Sequence, residues 1–190
     1  MHNSLESSAW VRRFAPLVTP GGTVLDIACG GGRHLRLFAE ARHPVTGIDR
    51  DLGGVADLAG QPGIDLVQAD LEDGSPWPLP PGRRFAAVIV TNYLYRPLLP
   101  ILADLLNPGG VLIYETFARG NEQFGHPSSP AFLLDPGELL EVARLNVTGR
   151  SLQVVAFEQG ETEVPKKAVV QRLCAVSGQY PHPLAWPVPS

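Results

Sequence analysis

The chain has 190 residues, 44% of them hydrophobic and 18% charged, which suits one domain able to bury a sheet on both sides and leaves little for a second unit. A formal net charge of −4 disfavours a nucleic-acid substrate, because phosphate backbones select basic surfaces. No run is long enough to span a bilayer, MHNSLESSAW lacks the basic and apolar regions of a secretory signal, and Cys29 and Cys174 are too few for a disulfide framework, so a reduced, cytoplasmic setting is expected.

Residues 4–18 place Leu5, Trp10, Phe14 and Leu17 near helical spacing, with Arg12 and Arg13 on another face, and Thr19-Pro20-Gly21-Gly22 stops the pattern. A short leading helix is expected there. From Thr23 to Asp49 the chain then reads as strand, glycine turn, helix and strand, the first half of a nucleotide-binding βαβ unit. Val24, Leu25 and Ile27 flank Asp26, Gly30-Gly31-Gly32 forms the turn, and Leu35, Phe38 and Ala39 follow helical spacing. That spacing leaves His34 on another face, as a partly exposed surface histidine or a ligand contact. Asp49 ends the second strand 17 positions after Gly32, where a carboxylate can accept hydrogen bonds from the hydroxyls of a ribose.

A dinucleotide fingerprint needs a third glycine at the position that Leu35 occupies. The pattern is instead D-x-x-x-G-x-G, with Asp26 four residues ahead of Gly30. A carboxylate at the turn repels a pyrophosphate and tolerates or attracts the ammonium and sulfonium of S-adenosylmethionine. VLDIACGGG resembles motif I of the class I S-adenosylmethionine-dependent methyltransferases. The resemblance implies a Rossmann-like three-layer α/β sandwich, with a seven-stranded, mostly parallel sheet ending in an antiparallel C-terminal hairpin. It also implies S-adenosyl-L-methionine as cofactor, held by Asp26, Ala28, Cys29, Gly30, Gly32, Asp49, Arg50, Asp70, Leu71 and Asn92. In such enzymes the leading helix lies beside the cofactor cleft; covering the sheet is the other role open to it.

After Asp49, RDLGGVADLAGQPG reads as a weak helix ending near Ala59, and IDLVQA (64–69) as a third strand. Asp70 follows at the strand end, where the resemblance gives a carboxylate that accepts from the adenine amino group and a backbone N–H, on Leu71, that reaches a ring nitrogen. A helix cap or solvated turn is the plainer reading of Asp70 taken alone. EDGSPWPLPPGRR is a loop, in which Trp77 either packs over the adenine or plugs the edge of the core. FAAVIV (85–90) is nearly continuous apolar sequence and should be a central strand buried on both faces. It ends in Thr91-Asn92-Tyr93-Leu94-Tyr95, at the motif IV position. Asn92, Tyr93 and Tyr95 are the substrate-side candidates, with turn capping and core packing as the alternative.

Residues 97–106 are expected to form a helix, and Asn107-Pro108-Gly109-Gly110 to turn sharply into VLIYETF; LNPGGVLIYE again resembles the family. The polar loop that follows, 118–135, is longer than a connection requires and has the character of a lid or binding segment. Glu115, Arg119, Asn121, Glu122 and His126 are its pocket candidates, each with a solvated-loop alternative. Asp135-Pro136-Gly137-Glu138 should cap a helix running to about Leu145. SLQVVAF (151–157) and KAVVQRLCAV (167–176) should be two antiparallel strands joined by an acidic turn. The organisation expected is one domain over residues 1–177, its leading helix within 1–20, and a proline-rich tail over 178–190.

In-line methyl transfer requires alignment and exclusion of water more than a dedicated catalytic group. An oxygen or protonated nitrogen acceptor would need a base within hydrogen-bond reach, for which Tyr93, Glu115 and His126 are the candidates. The five histidines are scattered and no metal constellation is present. Cys29, in the turn, is either a cofactor contact or a small polarizable filler. The expected activity is methyl transfer to a small-molecule acceptor. An RNA or protein methyltransferase, or a non-catalytic nucleotide-cofactor-binding protein, are the other readings.

Overall fold

The computed structural model describes residues 6–144 and 151–178. Seven strands form one sheet: β1 (Val24–Ile27), β2 (Val45–Asp49), β3 (Ile64–Gln68), β4 (Phe85–Thr91), β5 (Leu106–Phe117), β6 (Leu152–Thr162) and β7 (Ala168–Ser177). Their order is β3-β2-β1-β4-β5-β7-β6. The first five run parallel, and β7 pairs antiparallel with both β5 and β6. This is the expected mostly parallel sheet with a C-terminal hairpin.

Every residue of β4 is buried, because apolar side chains of both parities meet a covering layer. Val88 and Val90 face one core with Leu102, Leu134 and Leu139. Ala87 and Ile89 face the other, with Trp10, Phe14, Leu35 and Phe38. The second core is roofed by α1 (Ala9–Phe14) and α2 (Arg33–Glu40), the first partly by α3 (Glu138–Arg144). The sheet is therefore the middle of three layers.

Several boundaries differ from expectation. The leading helix is α1 followed by a 3-10 turn over Ala15–Leu17, begun by Pro16; Leu5 lies outside the described residues. The helix expected over 97–106 is a 3-10 segment, Arg96–Ile101. Pro97 and Pro100 remove two backbone donors from it, and β5 already starts at Leu106. The expected sharp turn at 107–110 is an interruption inside β5: Leu106 pairs with Phe85 and Val111 with Ala87, so the intervening residues bulge out, with Gly109 at φ +76°. Asp135 N–H donates to Glu138 Oε2 at 2.8 Å, half of the expected capping box, but Gly137 at φ +75° delays the helix to Glu138. Leu145 falls outside the described residues, as does the tail from 179. The acidic segment assigned to the hairpin turn is largely strand, since β6 continues to Thr162.

Between β1 and β4 the connections diverge, β2 and β3 lying to one side and β5 to the other. At such a switch point the loops beyond the strand ends part and leave a crevice. Two of the three non-glycine residues with left-handed backbone in the described chain sit there, Ala28 (φ 56°) after β1 and Asn92 (φ 54°) after β4. Conformations of this kind cost about 1–2 kcal/mol for an ordinary L-residue and concentrate at functional sites.

Candidate cofactor and acceptor site

At the crevice, Gly30 N–H donates to Asp49 Oδ2 at 2.7 Å and Asp51 N–H to Asp49 Oδ1 at 3.0 Å. The tip of β2 is thereby latched to the glycine turn. A Cβ on Gly30 would meet nothing within 4 Å, so that glycine faces open space. Gly32 serves packing instead: at φ +72° a Cβ there would come 2.5 Å from Val55 Cγ1. Ala28, Asp49, Arg50, Asp70 and Leu71 line one pocket of about 420 Å³, joined by Glu72, Tyr93 and Phe132. A broader cleft of about 1040 Å³ shares Arg50, Asp70 and Leu71 and adds Trp77 and Tyr95. Trp77 also packs against the edge of the first core, the plug expected of it.

Asp26 lies under this turn, 1% exposed. Its Oδ2 is buried and accepts no hydrogen bond among the described residues, and His34 Nδ1 stands 3.9 Å away. Burial raises the Asp26 carboxyl to about 8, against the opposing pull of Arg33 and with a further push from Asp49. In the free protein Asp26 is therefore mostly protonated near neutral pH and lines neither pocket; a cationic ligand in the crevice would favour its ionisation and a pyrophosphate would oppose it.

His34 is not a surface residue. It is 1% exposed, because the helix leaves Gly32 at an angle that turns its second residue inward. Ser8 N–H donates to His34 Nε2 at 3.1 Å, which leaves Nδ1–H facing Thr91 Oγ1 at 3.5 Å. Burial, with Arg33 and Arg12 nearby, pushes the imidazole down to about 3 and keeps it neutral.

Cys29 does not reach the cleft wall. Its N–H donates to Ile48 O, its carbonyl accepts from Gly32, and its side chain packs in the second core beside Leu35. Burial, reinforced by Asp26 and Asp49, pushes the thiol up to about 12.

A second cavity of about 330 Å³ lies one residue further back along the same loop: Tyr93 lines the first, and its neighbour Asn92 lines the second. The second holds Glu115, together with Ser8, Arg12, Arg33, Lys166 and Arg172. Most of these gave no local sequence signal, since they come from separate elements; Arg33, directly after the glycine turn, was the one that adjacency could have flagged.

Glu115 is engaged on both oxygens, by Ser8 Oγ–H at 2.8 Å and by the Arg172 guanidinium. The Tyr93 phenol is pushed upward by burial and by Glu72, so it serves as a donor and not a base. His126 lines neither cavity. Nor do the remaining loop candidates. Asn121 is 2% exposed and ties the loop together, donating to Pro127 O and accepting from Val169 N–H. Arg119 pairs with Asp135, and Glu122 accepts from Gly120 N–H. The loop's contribution is Phe132, half exposed on the wall of the first pocket. Among the described residues no metal-binding cluster occurs and no helix is long and apolar enough to cross a membrane.

Comparison with known proteins agrees with this geometry. Residues 2–130 match the model of a methyltransferase domain family. The chain is 38% identical over 102 residues to trans-aconitate 2-methyltransferase of Methylobacterium nodulans, covering 51% of this chain and 38% of that protein. It is 37% identical over 75 residues to ribosomal RNA small subunit methyltransferase H of Deinococcus deserti, covering 38% and 24%. The matches thus span well under half the length of these curated relatives. Among solved structures, 1,6-didemethyltoxoflavin-N1-methyltransferase of Burkholderia thailandensis, with bound 1,6-didemethyltoxoflavin and S-adenosylhomocysteine, superposes with a TM-score of 0.68 at 19% identity, over 94% of this chain and 80% of that one. That likeness is one of fold. With motif, sheet order and family model in agreement, the chain belongs to the class I S-adenosylmethionine-dependent methyltransferases.

Proposed function

We propose that the chain methylates a small-molecule acceptor, with the cofactor in the first pocket and the acceptor in the second. The observation that carries this is the convergence of Ala28, Asp49, Arg50, Asp70 and Leu71 on one pocket beside the glycine turn. S-Adenosylmethionine, when bound, supplies an activated methyl group and leaves as S-adenosylhomocysteine. Asp49 would take the ribose hydroxyls while holding Gly30 N–H; Asp70 and Leu71 N–H would address the adenine; Asp26, protonated in the free protein, would ionise beneath the cofactor's positive charge. Phe132, from the 118–135 loop, would cover the bound adenosyl group and exclude water.

Small-molecule acceptance is supported by a cavity at the low end of the roughly 300–1,000 Å³ range of ligand sites. An RNA acceptor is the second reading, favoured by the match to a ribosomal RNA methyltransferase and opposed by the net charge of −4. Two buried, free cysteines are compatible with a reducing, cytoplasmic setting.

Calorimetric titration tests the cofactor assignment. S-Adenosylhomocysteine should bind and NADH should not, and Asp49→Ala should weaken the former by about 1–3 kcal/mol, the cost of leaving buried polar partners unpaired. Tight binding of NADH, or an unchanged affinity in the variant, would refute the assignment.

A further inference from the structure

The charges around the second cavity do not balance. Four cations line it, Arg12, Arg33, Lys166 and Arg172, against two carboxylates, Glu6 and Glu115. Arg12 is matched by Glu6 at 3.2 Å, and Arg172 by Glu115 and by Glu158 at 3.3 Å. Arg33 and Lys166 remain, and neither has a carboxylate within ion-pair distance among the described residues. The Arg33 guanidinium donates to Thr91 Oγ1 at 3.3 Å. Lys166 reaches His126 O at 3.4 Å and stands 5.6 Å over the Phe117 ring. These are neutral partners, so two positive charges face the cavity uncompensated.

Much of the remaining wall is apolar, Ala9, Phe117, Val164, Pro165, Ala168 and Val170, beside the neutral polar Ser7, Ser8, Asn92 and Thr162. Bare inorganic anions gain nothing from such a surface, whereas an organic anion buries its carbon skeleton there. The candidate bases also bear on the choice. Glu115 has both oxygens occupied, the Tyr93 phenol stays protonated, and His126 lies outside the cavity. An acceptor that must lose a proton would find no free base, and an anion requires none.

We propose that this cavity binds an organic acceptor carrying a carboxylate on an apolar body, its carboxylate held by Arg33 and Lys166. Guanidinium suits this task, since its planar fork matches the two carboxylate oxygens. The assignment rests on the reading of the chain as a small-molecule methyltransferase and narrows the acceptor class.

The test uses the full chain, first titrated with S-adenosylhomocysteine and then, at saturation, with two matched pairs: phenylacetate against phenylacetamide, and hexanoate against hexanamide. Each carboxylate should bind at least about ten-fold more tightly than its amide, in line with the strength of charge-assisted hydrogen bonds. Lys166→Gln should reduce that preference while leaving the affinity for S-adenosylhomocysteine unchanged, which shows that the variant is folded. Arg33→Gln should reduce it further.

Failure to bind S-adenosylhomocysteine would sink the underlying reading. Normal S-adenosylhomocysteine binding with no carboxylate preference, including no binding of either partner in both pairs, would overturn the proposal alone. So would sulfate binding as tightly as phenylacetate, or a short single-stranded RNA displacing phenylacetate through a Lys166-dependent contact.

Discussion

Asp26 and His34 sit 3.9 Å apart out of contact with water, and burial drives both toward their uncharged forms. Folding lifts Asp26 from 3.8 to about 8 and drops His34 from 6.5 to about 3. The stability tied to the raised Asp26 value is complete below its unfolded pKa and fades as pH climbs toward 8. The stability tied to the depressed His34 value is complete above 6.5 and fades as pH falls toward 3. From about 4 to 6.5 the two slopes cancel, because folded and unfolded chains each carry one proton on the pair; from 6.5 to 8 only Asp26 acts. Thermal melts across that upper interval should show the wild type losing stability relative to Asp26→Asn. Parallel curves for the two proteins would contradict a buried, protonated Asp26. The carboxylate was legible from its place in the motif. Its missing partner was not, nor was the inward turn of His34, because helical spacing counted from apolar neighbours says nothing about the angle at which a helix leaves a left-handed Gly32.

Only six residues long, α1 is too short to be stable by itself, so its position depends on docking. Trp10 Nε1–H donates to Leu173 O at 3.2 Å, and Arg13 lies over Trp10 and Phe14 while pairing with Glu158 at 3.1 Å. At the other end Ser8 makes four hydrogen bonds. Its Oγ accepts from Trp10 and Val11 N–H and donates to Glu115, and its own N–H reaches His34. One N-cap therefore joins the leading helix to both α2 and β5. Ser8→Ala should cost about 1 kcal/mol in urea denaturation, the usual loss for an N-cap, and Ser8→Thr should recover most of it. An alanine variant as stable as the parent would mean that the cap contributes nothing to docking. The helix itself was readable in Trp10, Phe14 and the stop at Pro20, and β4 in its unbroken apolar run. The 97–106 helix was misread for a local reason. Leu98, Leu99, Ile101 and Leu102 imitate helical periodicity, but two prolines leave too few donors to sustain it.

Seven strands give the molecule a gradient of stability from centre to edge. β4, buried along its whole length and flanked by β1 and β5, can exchange its amide hydrogens only through global opening. β3 and β6 are the two edges, and both carry exposed positions; β6 carries Glu158 and Glu161, charges that discourage edge-to-edge pairing with another chain. Periodicity and turn chemistry suffice to read that layout, since each strand announces itself locally. The second cavity has no such signature: Arg33, Glu115, Lys166 and Arg172 are brought together only when β7 inserts antiparallel beside β5 and its loop folds back toward the β4 end. Hydrogen exchange should record both levels of organisation. In the free protein β4 should exchange slowest and the segments around residues 28–32, 49–51 and 69–72 much faster. Saturating S-adenosylhomocysteine should slow those three segments together, because a ligand spanning the crevice must be released before any of them opens, and should leave the β6–β7 turn unchanged. Protection confined to the β6–β7 turn would place the cofactor on the wrong side of the sheet's switch point and would reassign the first pocket.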